Sequence, residues 1–291
     1  MILRTFGSLA LAACLLLGMS RDAVSGNTAA ARKQLESSLQ VSGTITIARD
    51  GSVQSHTLDP GAPLGGELTR FLDASIGKWR FEPVLVDGKE VIAKVPMHLR
   101  LIAKAAGGGK SSISIASTYF GSSDEVAATD HPRKKKWGPP NYPSNALHMG
   151  GKGTVYLIVQ VGRDGKVANV DAEQVNLRVL GNAREMDVLR KSFTTAAVRA
   201  AKQWTFVIPT TGESTKEDAW LVRIPVDFML AEQGQNPGKR VGWDTYIPGP
   251  RNMGMPWVQE KLRTAAKPDA LPNDGIYPLR QGAKLLSPPA S

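Results

Sequence analysis

Few residues in this chain are of the kind that perform chemistry. Its 291 residues hold one Cys and four His. Cys14 lies in an apolar stretch near the start, and His56, His98, His131 and His148 are scattered. One thiol supports neither a disulfide framework nor a Cys-based zinc site, and histidines so dispersed form no ligand pattern. The chain has no Gly-x-Ser-x-Gly, no His-Glu-x-x-His, no phosphate-binding loop and no dinucleotide fingerprint. Ser, His and Asp all occur, but no spacing groups them as nucleophile, base and orienting acid. The expectation is a protein that is not an enzyme: catalytic residues none, metal none, cofactors none. Recognition is what remains. With 36 Lys and Arg against 26 Asp and Glu, the net charge of +10 favours anionic surroundings. An apolar content of 42% with 21% charged residues excludes wholesale disorder and a polytopic membrane protein.

Residues 1–25 read as an export signal. Arg4 supplies the positive start, and Leu9 to Met19 is an unbroken apolar run. That run is short of the ~20 residues that span a bilayer. Small residues at Gly18-Met19-Ser20 and Ala23-Val24-Ser25 offer cleavage sites. Two other readings stay open. Leu11-Ala12-Ala13-Cys14 fits a lipoprotein box with Cys14 lipidated, and Thr5 to Ser20 can be read as an uncleaved anchor. All three place the chain outside the cytoplasm, in the periplasm, with membrane contact only in the last two. Cleavage at either small-residue site removes Cys14, which suits an oxidising compartment. Export also makes nucleic acid a poor partner despite the basic balance.

Three landmarks recur in the same order. Ile47-Ala48-Arg49-Asp50-Gly51-Ser52-Val53 returns as Val161-Gly162-Arg163-Asp164-Gly165-Lys166-Val167. Trp79-Arg80-Phe81-Glu82-Pro83 returns loosely as Trp204-Thr205-Phe206-Val207-Ile208-Pro209. Val95-Pro96-Met97-His98-Leu99-Arg100-Leu101 returns as Ile224-Pro225-Val226-Asp227-Phe228-Met229-Leu230. A repeat of this kind predicts two copies of one unit.

Each unit reads strand, turn, strand, helix, strand. Val41, Gly43, Ile45 and Ile47 alternate with Ser42, Thr44 and Thr46 at the period of a half-buried strand, and Val155, Leu157, Val159 and Val161 recur at the same period. Asp50-Gly51 and Asp164-Gly165 then supply tight turns. Leu64, Leu68, Phe71, Leu72, Ile76 and Trp79 make one apolar helical stripe. Phe193, Ala196, Ala197, Ala200, Ala201 and Trp204 make another. Both tryptophans are expected in the core. The last strands, Val91 to Leu101 and Val222 to Leu230, put Lys94, His98 and Arg100, and Arg223 and Asp227, on faces expected to be solvated. Pro96 and Pro225 point to edge strands, because proline donates nothing to a ladder. The fold class is therefore α+β: two small antiparallel-sheet domains, each β-β-α-β with a helix on one sheet face. The first is placed at 38–102 and the second at 137–231. Residues 103–136, rich in Gly and Ser, are expected to be a flexible linker. It closes on the basic run Arg133 to Lys136, read as a solvated linker end or a contact for anionic lipid headgroups. The extension 232–291 is expected to wrap the second unit or stay mobile, with one short helix over Val258 to Ala266.

The unit resembles the C-terminal domain of TonB, the envelope protein that links an energised inner membrane to outer-membrane receptors. Tyr142-Pro143-Ser144-Asn145-Ala146, Gly153-Thr154-Val155, Asp164-Gly165-Lys166-Val167, Trp204-Thr205-Phe206 and Ile224-Pro225-Val226-Asp227-Phe228 carry the resemblance. In the first copy, which looks degenerate, Trp79-Arg80-Phe81-Glu82-Pro83 does so. The resemblance implies protein binding by strand addition, in which an extended receptor segment pairs beside the last strand of the sheet. The docking residues it implies are Val222, Arg223, Ile224, Val226, Phe228 and Leu230, with Tyr142 and Pro143 nearby. The first unit's counterpart is Val91 to Leu101. Envelope proteins or outer-membrane receptor segments are the implied partners. The alternative is a structural envelope protein that forms a homodimer through its sheet edges without energy transduction.

Overall fold

The alternating apolar residues build two antiparallel sheets, each backed by a helix. The computed structural model describes residues 35–60, 64–107, 110–121, 129–230, 242–273, 275–280 and 282–287; the export signal expected at 1–25 lies outside them. The first unit runs β1 (Glu36–Ile47), β2 (Val53–Leu58), α1 (Gly66–Ile76), a short hairpin of β3 (Leu85–Val86) and β4 (Lys89–Glu90), then β5 (Ala93–Gly107) and β6 (Lys110–Phe120). After β7 (Arg133–Lys136) and α2 (Ser144–His148), the second unit runs β8 (Gly153–Gly162), β9 (Val167–Leu177), α3 (Ala183–Ala201), β10 (Thr205–Val207) and β11 (Ala219–Phe228). The C-terminal extension adds β12 (Asp244–Tyr246), α4 (Gln259–Thr264) and β13 (Tyr277–Pro278). The first sheet has the order β12-β1-β5-β6, with β2 also on β1; the second has the order β13-β11-β8-β9. In both units the first strand is central, with the second and last strands on either side.

The two units match in detail at the turn. Gly51 and Gly165 hold φ of 79° and 73°, a region that glycine enters freely. Their carbonyls accept from the amides of Phe81 and Phe206 at 2.8 and 2.7 Å. A Cβ at Gly51 would lie 2.0 Å from the Phe81 carbonyl oxygen, and one at Gly165 2.5 Å from that of Phe206. Asp50 and Asp164 each accept from the amide two residues on, at 3.0 Å. The helices then lie on their sheets. Leu68, Leu72 and Ile76 of α1 join Ile45, Met97 and Phe120 in one core, and Leu189, Phe193 and Ala197 of α3 join Leu157, Val159 and Ile224 in the other. Trp79 and Trp204 end the helices at 2% exposure each, in the core as the stripes predict. A capping box at Asn182 and Glu185 starts α3, with bonds of 2.9 and 3.0 Å in the two directions.

Three expectations need correction. The segment 103–136 contains strands: β5 continues to Gly107, β6 pairs with it along Met97 to Gly107, and the basic run forms β7 against β10. Its Gly and Ser content masked the period-2 signal of Ile113 and Ile115, which pack on the first core. Val91 to Leu101 is accordingly no docking edge, because β5 lies between β1 and β6. Pro96 is therefore not on an edge strand. Its carbonyl faces the β6 side, accepting from Gly121 at 3.0 Å, so its missing donor falls just past the end of β6 and leaves the β1 ladder whole. Finally, the faces expected to be solvated are covered in part: Arg100 and Arg223 are buried and His98 and Asp227 half-buried, whereas Lys94 is exposed as expected.

The extension causes that covering, and it runs over both units. β12 pairs with β1 at Glu36 to Ser38, and the next residue, Ile247, bridges Leu177 of β9. The Gly249 amide donates to the Asn176 side-chain oxygen and the Asn252 amide to the Glu173 carbonyl, both on β9, and α4 with Met255 and Val258 packs on Ile158. Past β13 the chain returns to the first unit, where Leu285 bridges Phe81 and Ala283 enters its core. The short helix expected over Val258 to Ala266 is present as α4.

Candidate partner-binding edge

β11 is built on one side only. β8 pairs with it over all of Ala219 to Phe228, whereas β13 pairs with Val222 and Arg223 alone. The Leu279 amide adds a bond to the Leu221 carbonyl at 2.9 Å. That bond fixes which residues turn their backbone groups away from β8. Strand groups alternate sides, so Leu221, Arg223, Pro225 and Asp227 face outward. Pro225 thus sits where its lost donor removes nothing from the β8 ladder. Among the described residues, no strand pairs with Ile224 to Phe228 on the outward side.

The implied docking residues have other work for their side chains. Val222, Ile224, Val226 and Phe228 are core residues against α3. The Tyr142 hydroxyl donates to the Gly151 carbonyl, and its ring meets Phe193 and Phe228 edge-on at 5.9 and 5.8 Å. Pro143 precedes α2 as its N-cap, and Leu230 is half-buried. A guest strand would therefore meet main chain. Asp227 is anchored by Arg178 at 2.6 Å and Thr154 at 2.8 Å, and Arg178 also holds Asp244 at the start of β12 at 2.7 Å.

Behind the edge lies a buried charge cluster. Glu173 on β9 is 0% exposed and accepts both Nε and Nη2 of Arg223, at 2.8 and 2.9 Å. Arg251 of the extension donates to the same carboxylate at 2.6 Å and also reaches the carbonyls of Leu262, Ala265 and Ala266 at the end of α4. A second polar seam joins the extension to the first unit. The Tyr246 hydroxyl donates to Glu36 at 3.1 Å and to Asp269 at 3.4 Å. Ser117 of β6 donates to Asp269 at 2.9 Å, and Gln40 of β1 to the Leu271 carbonyl at 2.8 Å. None of these partners is signalled locally in the sequence, because each joins a strand to a point far along the chain.

Burial raises the pKa of Tyr119, Tyr156 and Tyr246 above the ordinary tyrosine range, with Asp269 adding to the effect at Tyr246. A group whose folded pKa lies above its unfolded value of about 10 contributes full stability below that pH and loses it above, since the unfolded chain releases the proton first. The urea midpoint is expected to fall as the pH rises past about 10, and Tyr246→Phe to make that fall shallower. An equal slope in both proteins would refute a contribution from Tyr246.

The basic run leads into this unit as well. β7 pairs with β10, and Trp137 then stacks on Trp204 with ring centroids 3.6 Å apart. Trp204 Nε1 donates to the Gly138 carbonyl at 2.8 Å. Among the described residues, no helix is long and apolar enough to cross a membrane.

Comparison with known proteins places the unit. The chain is 34% identical over 106 residues to protein TonB from two strains of Xanthomonas campestris pv. campestris, which covers 36% of this chain and 41% of those. It is 33% identical over 91 residues to protein tonB2 of Pseudomonas aeruginosa, which covers 31% of this chain and 28% of that one. The chain thus spans less than half the length of the curated relatives it matches. No family model matches, and no solved structure does. A sequence relationship of this extent, with a β-β-α-β unit that carries the Tyr-Pro lead-in, the Asp-Gly turn and the closing Ile-Pro-Val strand, supports a TonB-like C-terminal domain in this chain.

Proposed function

We propose that this protein is a non-catalytic, exported TonB-like component of the cell envelope, in the TonB-dependent transport class. It resides in the periplasm and binds extended segments of envelope proteins or outer-membrane receptors by strand addition along β11. The observation that carries this reading is the similarity to TonB together with a last strand that, among the described residues, no strand pairs beyond Arg223 on its outward side. An incoming strand would lie beside β11 past Arg223, where Pro225 turns its carbonyl outward, so affinity would come from main-chain bonds and tolerate varied guest sequences. Because β5 is interior, the first unit's counterpart of β11 is closed to a guest strand.

Calorimetric titration of the full chain with peptides copied from TonB-box segments of outer-membrane receptors tests the reading. Pro225→Val sharpens it. At this position the restored N–H points outward, so the variant gains one donor for the guest without altering the pairing with β8. One hydrogen bond contributes about 0.5–1.5 kcal/mol net, so binding is expected to tighten by roughly two- to tenfold. Absence of binding by both proteins at millimolar peptide overturns the receptor-binding reading.

A further inference from the structure

The sheet edges of this protein are unequally guarded. An unpaired edge strand is a template for another chain, and proteins blunt such edges with charge, proline, bulges or covering segments. β9 is covered along Ala172 to Leu177 by Ile247, Gly249 and Asn252 of the extension. β11 carries β13 and Pro225. β6 has less protection. It ends the first sheet and pairs with β5 alone, and from Ser111 to Phe120 its sequence holds no charged residue and no proline.

The outward groups of β6 can be assigned. Gly121 donates to the Pro96 carbonyl, which fixes the residues of β5 that face β6. Ser112, Ser114, Ser117 and Tyr119 then exchange bonds with β5, with a bulge at Ala116. Ser111, Ile113, Ile115, Thr118 and Phe120 face away. Of these, Phe120 is already engaged, its carbonyl accepting from Gly282 at 2.8 Å. Upstream of it, Ser111, Ile113 and Ile115 have no main-chain partner on that side among the described residues.

We propose that the outer edge of β6 is a self-association surface, where a second copy of this chain pairs antiparallel across Ser111 to Ile115. A second copy fits for two reasons. The strand is its own chemical complement, since antiparallel pairing about a twofold axis near Ile113 brings no like charges together over Ser111 to Ile115. Ile113 is half-buried at the rim of the first core, and its own copy across the axis would cover it. Nothing in a Ser, Ile and Ala strand selects a foreign sequence instead. This surface is separate from β11, so the proposal stands or falls independently of receptor binding.

Sedimentation equilibrium and amide hydrogen exchange of the full exported chain, between about 2 and about 200 µM, test it. The expected result is a reversible dimer, with exchange at Ser111, Ile113 and Ile115 slowing about tenfold or more as concentration rises. Ile113→Lys places like charges across the axis and is expected to be monomeric at the higher concentration. Should that variant not fold, exchange in the native chain decides alone. A monomer throughout, or a dimer whose 111, 113 and 115 amides exchange equally fast at both concentrations, overturns the proposal.

Discussion

Replacing Glu173 by Ala is expected to cost about 3–5 kcal/mol of folding stability, a large share of the margin of an ordinary domain. The reason is the arginine left behind. Arg223 is 1% exposed and its guanidinium is matched to Glu173 by two parallel bonds. Without the carboxylate, a full positive charge remains in the space between the second sheet and the extension. Arg251 loses the same anchor, and with it the tie between Glu173 and the last carbonyls of α4. The damage should therefore reach the extension, with early exchange of amides in α4. Urea unfolding of the full chain gives the measurement. Glu173→Leu combined with Arg223→Leu removes both charges and should recover most of the loss, because a buried pair contributes little beyond what apolar packing would. If Glu173→Ala alone unfolds within about 0.5 kcal/mol of the native chain, water reaches this cluster and the buried-charge account is wrong.

The sequence made the local half of this structure legible. The alternation from Val41 to Ile47, the Asp-Gly turns and the two stripes ending in Trp each state their element within a short window, because backbone period and burial coincide there. From Val155 to Val161 they do not, since the extension also buries Ile158 on the second face of β8. The order of strands, helix and strand in each unit followed. The failures share a physical cause. β6 was hidden because Ser and Gly composition outweighed the spacing of Ile113, Ile115 and Phe120. Arg100 and Arg223 looked solvated because the residues that bury and pair them arrive from the extension: Tyr246 stacks on Arg100 at 4.8 Å, and Arg251 and α4 close over Glu173. A strand's own pattern reports which face is apolar. It does not report that the polar face will be roofed by a segment with no period of its own. The candidate edge was read in the same partial way. Proline at position 225 was visible, but whether its missing donor faced β8 or the outside depended on the Leu279 bond.

The two tryptophans give the second large effect and separate the units energetically. Trp204→Ala is expected to cost about 3–5 kcal/mol, the range for truncating a buried aromatic side chain. It removes the stack with Trp137 and the bond to Gly138, so β7 and the lead-in to Tyr142 lose their hold on the second core. Trp79→Ala should fall in a similar range, since its ring is equally buried and meets Phe81 and Phe120 edge-on at 6.4 and 5.6 Å. Substitution by Phe separates them. Trp204 Nε1 has an acceptor, whereas Trp79 Nε1 is buried with no hydrogen-bond partner among the described residues. Trp204→Phe therefore loses a bond, while Trp79→Phe removes a donor that was already unsatisfied. Burying an unpaired polar group is itself unfavourable by about 1–3 kcal/mol, so removing it offsets part of the lost volume. Trp79→Phe should thus be the milder change by at least about 1 kcal/mol in urea unfolding. Equal losses would mean that the Trp204 bond to Gly138 contributes nothing and that the unpaired Trp79 donor costs nothing.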